Sequence, residues 1–94
     1  MLYAQISNRF RTIAQLCELA VNLMDHDDPA DRGAVPDLLS LIVEQIEAIA
    51  KSTDNIADQA ELYAKTAKKL YRRNGSNDDE TAEILYTLSD LLTA

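Results

Sequence analysis

Residues 35–70 read VPDLLSLIVEQIEAIAKSTDNIADQAELYAKTAKKL. Within them Val35, Leu39, Ile42, Ile46, Ile49, Thr53, Ile56, Ala60, Tyr63, Ala67 and Leu70 recur in steps that alternate four and three residues. That spacing keeps a single stripe on one side of an α-helix. Pro36 stands where a first helical turn tolerates a residue with no amide hydrogen. The pattern therefore predicts one long helix over 36–73, roughly 57 Å at 1.5 Å per residue. Its weak point is KSTDN, residues 51–55, where Ser, Thr, Asp and Asn are all helix-capping types. No Gly or Pro falls there, no Glu or Gln completes a capping box, and the phase passes through unbroken. Continuity is the expectation. The alternative is a break near 51–55, which would turn the rod into two members of a monomeric four-helix bundle.

On the N-terminal side, Tyr3, Ile6, Phe10, Ile13, Cys17, Ala20 and Met24 repeat the same spacing and predict a helix over about 2–24. Leu16, Leu19 and Leu23 form a second stripe beside the first, and Leu38, Leu41 and Val43 widen the stripe of the central helix in the same way. A wide apolar face implies contact with more than one neighbour. Cys17 lies on the stripe and reads as a small buried apolar residue.

The segment DHDDPADRGAV, residues 25–35, is polar and carries Pro29 and Gly33, so it reads as the main loop. Its aspartates and His26 raise the question of a metal site. An EF-hand loop counted from Asp25 fails, because Pro29 and Ala30 occupy the fifth and sixth positions. His26 has no second histidine to complete a zinc site. These acids are expected to solvate and cap helix ends, with Asp28 and Asp37 favourable near N-termini.

At the other end of the rod, Lys65, Lys68, Lys69, Arg72 and Arg73 collect where cations complement a helix C-terminus, and Gly75 is a natural stop. Asp78, Asp79, Glu80 and Glu83 follow, and are expected to neutralise the cluster across the turn rather than leave it for nucleic acid. Asn77 and Glu80 make a variant capping box for a last helix over 78–92, with Ile84, Leu85, Leu88, Leu91 and Leu92 on its apolar face and Tyr86 off it.

Composition agrees with an all-α chain. Only two Gly and two Pro occur among 94 residues, and apolar residues make up 47%. Residues 1–94 are read as one helical domain. The expected architecture is three helices, 2–24, 36–73 and 78–92, forming a layer too open to cover itself. Homodimerisation would complete a four-helix core from the first two helices of each copy. The expected contact residues are Phe10, Ile13, Leu16, Cys17, Ala20, Leu39, Ile42, Ile46 and Ile49.

Function is constrained mostly by exclusion. One histidine, one cysteine and no glycine-rich phosphate loop leave no catalytic, metal or cofactor set to assign. No segment is apolar enough to span a membrane, the N-terminus lacks a secretory pattern, and a lone thiol suits the cytoplasm. The net charge of −7 disfavours direct nucleic-acid or anionic-lipid binding. The expected role is a small acidic adaptor, chaperone or sequestering regulator that binds another protein through apolar helix faces. The alternative is a phage- or plasmid-type inhibitor whose acidic surface mimics nucleic acid. Residues 12–64 carry eleven acids against Arg32 and Lys51, a net of −9.

Overall fold

The computed structural model describes residues 2–51, 55–74 and 78–93, with side chains over 8–51, 56–72 and 78–93. Four α-helices follow one another: α1, Leu2–Met24; α2, Pro29–Ala50; α3, Asn55–Asn74; α4, Asp78–Thr93. The helix expected over 36–73 is thus two helices. α2 and α3 pack side by side, which a straight rod forbids. The molecule measures 42 × 19 × 19 Å, shorter than that rod alone would be. α1 packs on α2 and α4, α3 packs on the same two, and neither diagonal pair packs, so the four helices form a square bundle.

The break is explained by which face of α3 is buried. In α2, Val35, Leu39, Ile42, Ile46 and Ile49 are all buried, as the spacing predicts. In α3 the buried row is Ala57, Ala60, Ala64, Ala67 and Tyr71, not the expected Ile56, Ala60, Tyr63, Ala67 and Leu70. Both rows have the same alternating spacing and share Ala60 and Ala67. Ile56 is exposed, and Tyr63 and Leu70 are only half-buried. The stripe of α2 ends on Ile49 and the buried row of α3 starts on Ala57, so the two helices do not share the single stripe that the spacing suggests. Alanine on the inner face lets α3 approach its neighbours closely, within the range of interaxial distances that side-chain size sets. Ser52, Thr53 and Asp54 lie outside the described residues, as do Gly75 and Asn77, the expected stop and cap.

α1 has the expected bounds. Ile13, Cys17, Ala20 and Met24 are buried and Phe10 is half-buried, while the side chains of Tyr3 and Ile6 lie outside the described residues. α4 buries Thr81, Leu85, Leu88 and Leu92, half-buries Ile84 and Leu91, and leaves Tyr86 exposed. Residues from all four helices join in one core cluster.

The expected loop over 25–35 is shorter. α2 begins at Pro29, with Asp28 as its N-cap: the Asp28 carboxylate accepts the Ala30 amide at 2.9 Å, and Pro29 fills the first position, where no amide partner is needed. Gly33, expected in the loop, and Pro36, expected in a first helical turn, both fall inside the helix. Pro36 has no N–H for the carbonyl of Arg32, four residues earlier, and its ring crowds that oxygen. The Tyr71 hydroxyl donates to it instead, at 3.0 Å. The guanidinium of Arg32 donates to the Met24 carbonyl at the end of α1 and to Asp78 at the start of α4, the latter at 2.8 Å. One residue of α2 thereby ties all four helices together at one end of the bundle.

Candidate functional site

With the core closed by its own four helices, the second leucine stripe is left over. On α1, Leu16, Leu19 and Leu23 follow at three- and four-residue steps, and on α2 so do Leu38, Leu41 and Gln45. Leu19 is 44% and Leu41 38% exposed, while Leu16, Leu23 and Leu38 are half-buried. Between the two helices runs a half-open groove of about 420 Å³, lined by Asn8, Arg9, Thr12, Ile13, Leu16, Leu41 and Gln45. α1 and α2 are antiparallel, so a facing residue moves back one place on α2 for each place forward on α1. Leu16 by Leu41 and Thr12 by Gln45 then put Leu19 beside Leu38 and Leu23 beside Ala34. Carried through, this register gives an apolar strip of Leu16, Leu19, Leu23, Leu38 and Leu41 about two helical turns long.

The rim of the strip is polar and asymmetric. Asp37 and Glu44 share the outer row of α2 with Leu41, four residues before it and three after, and both are exposed. The turn beyond Leu23 carries Asp25, Asp27 and Asp28, all exposed. Arg9 lines the opposite end of the groove. The Thr12 hydroxyl is engaged with the Asn8 carbonyl of its own helix at 3.0 Å, which leaves hydrophobic contact as the groove's main offer.

The contact residues expected from sequence are distributed differently. Ile13, Cys17, Ala20, Leu39, Ile42, Ile46 and Ile49 are enclosed by the chain's own helices, none more than 1% exposed. Of the expected set only Phe10 and Leu16 keep accessible surface. The reason is that α3 and α4 occupy the place that the three-helix layout left for a second copy, so closing the core requires no dimer. Leu19, Leu23, Leu38 and Leu41 were legible as a wide stripe; what sequence could not show was that they lie outside the closed core.

The remaining candidates are structural. Burial, with the negative charge of Glu18 added, pushes the Cys17 thiol from 9.0 up to about 12, so it is a protonated core residue. His26 Nδ1 lies 2.8 Å from Asp31 Oδ2. Among the described residues no three His, Cys, Asp or Glu side chains converge as a metal site would need. Asp78, expected to face the basic cluster of α3, pairs with Arg32 from α2, and Lys65 pairs with Glu61 on its own helix at 2.8 Å. In the sequence Arg32 counts only as a charge, although it is the one Lys or Arg between Arg11 and Lys51. No described helix is long and apolar enough to cross a membrane.

Comparison with protein-family models, with curated proteins and with solved structures returns no match to this chain. What defines it is the arrangement itself: an acidic four-helix bundle with a leucine strip along its first two helices.

Proposed function

We propose that the chain is a non-enzymatic protein-binding module that engages another protein through the α1–α2 leucine strip. The observation that carries this reading is that Leu19 and Leu41 stay exposed, beside half-buried Leu16, Leu23 and Leu38, after the core is complete. A contiguous apolar strip with a polar rim is how a contact surface differs from scattered surface leucines. Leu62 and Tyr86, on α3 and α4, belong to the scattered kind. An adaptor, chaperone or sequestering regulator of the cytoplasm, where a lone cysteine stays reduced, fits this surface. Mimicry of nucleic acid is the weaker reading, because Leu41 separates Asp37 from Glu44 in the row that would have to imitate phosphates.

The test is capture from a lysate of the native host, with nuclease present, by the wild-type chain and by the Leu19→Glu/Leu41→Glu double variant. A stoichiometric partner held by the wild type at high salt and lost from a folded double variant supports the reading. Equal capture by both removes the strip from it. Capture lost at high salt and displaced by DNA would favour the mimic.

A further inference from the structure

Resting on that reading, we infer that the strip receives an amphipathic helix of opposite charge, its apolar face on the leucines and its flanks rich in Lys or Arg. Three observations converge. The strip is a valley between two antiparallel helices, with a floor of Leu16, Leu41 and Ile13 at one end. A third helix laid in such a valley presents side chains at three- and four-residue steps, and about two turns of it match the strip. The surroundings are acidic: Asp37 and Glu44 border Leu41, and Asp25, Asp27 and Asp28 close the far end. Residues 2–50, which form α1, the turn and α2, carry eight acids against Arg9, Arg11 and Arg32, a net of −5. A second copy would bring that same charge against itself, so cationic flanks are favoured over self-association.

The charge asymmetry also sets a direction. A helix N-terminus carries partial positive charge and its C-terminus partial negative. The acidic Asp25–Asp28 end of the strip takes the incoming N-terminus, and Arg9 takes the C-terminus. The bound helix then runs parallel to α2.

Two synthetic helical peptides test this, each of 18 residues with leucines at one face, and either lysines or glutamates elsewhere. Titration followed by methyl NMR at 0.15 M salt should show the lysine peptide shifting Leu16, Leu19 and Leu41. It should bind at least tenfold tighter than the glutamate peptide and lose at least tenfold with Leu41→Glu. A spin label on its N-terminus should broaden Leu23 before Leu16. Equal binding of both peptides would overturn the inference and leave the contact surface standing. So would lysine-peptide shifts spread over the acidic surface away from the leucines. If neither peptide binds, sedimentation equilibrium separates the cases. A dimer dissolved by Leu19→Glu would replace the helix with a second copy as occupant, whereas a monomer would overturn both the inference and the reading beneath it.

Discussion

The Tyr71 hydroxyl of α3 donates to the backbone carbonyl of Arg32 in α2, at 3.0 Å, and this is the carbonyl that Pro36 leaves without its helical donor. A proline in a helix interior ordinarily costs stability both by ring crowding and by the missing hydrogen bond. Here the second part is met from a neighbouring helix, so the local fault becomes a long-range tie. Tyr71→Phe should destabilise the bundle by about 1 kcal/mol, the net worth of one such bond. Pro36→Ala restores an amide donor, and in that background the same Tyr71→Phe change should cost less. Urea denaturation of the four proteins closes the cycle. Equal costs in both backgrounds would mean that Tyr71 does not stand in for the missing amide.

Gly33 lies inside α2, and a Cβ built on it meets nothing within 4 Å. Glycine in a helix costs roughly 0.5–1 kcal/mol relative to alanine through the freedom of the unfolded chain. Gly33→Ala should raise stability by that amount, read as a higher urea midpoint with unchanged slope. A fall in midpoint would place Gly33 outside a regular helix.

Thr81 is fully buried, and its hydroxyl has no hydrogen-bond partner among the described residues. An unpaired buried hydroxyl forfeits its hydration with nothing in return. Thr81→Val keeps the shape and removes the hydroxyl, and should stabilise by about 1 kcal/mol in thermal or urea unfolding. Marked destabilisation would reveal a partner for that oxygen.

Core and exposed positions should respond differently. Ile46 has no exposed surface, and Ile46→Ala should cost about 2–5 kcal/mol as lost burial plus cavity. Ile13→Asp or Ile46→Asp should abolish the folded state, because each puts an unpaired charge in the core. Leu62→Ala, at a position 66% exposed, should stay within about 0.5 kcal/mol of wild type. A folded Ile46→Asp protein with native circular dichroism would contradict the packing described above.

Cys17 supplies a pH dependence. The folded chain holds the thiol proton to about pH 12, whereas an exposed thiol releases it from 9.0 upward. Folding in that window takes up a proton, so stability falls as pH rises, by at most about 1.4 kcal/mol per pH unit from this group. The contribution is fully present below pH 9 and declines above it. Between pH 8 and 10.5 the wild type should lose about 2 kcal/mol more than Cys17→Ala does. Parallel pH profiles for the two proteins would show that the thiol is not protected by the fold.

Helix faces are a property of neighbouring residues, and so the sequence by itself determined that the chain is all-α. It likewise determined that residues 2–24 form the first helix, that Val35, Leu39, Ile42, Ile46 and Ile49 share a buried stripe, that Asp28 suits a helix N-terminus, and that Tyr86 lies off the last apolar face. The register of residues 55–74 was different. Ile56, Tyr63 and Leu70 have the same spacing as Ala57, Ala64 and Tyr71, and periodicity cannot rank them. Only packing did: the row turned toward α2 and α4 is the alanine one, with Tyr71 at its end. The same spatial closure decided that α2 ends at Ala50 and a separate α3 begins at Asn55, that α3 and α4 rather than a second copy cover the core, and that Tyr71 reaches Arg32. Those outcomes depend on surfaces distant in sequence meeting in space, and the pattern of consecutive residues holds no record of that. The leucine strip takes its residues from the sequence and its exposure from the fold.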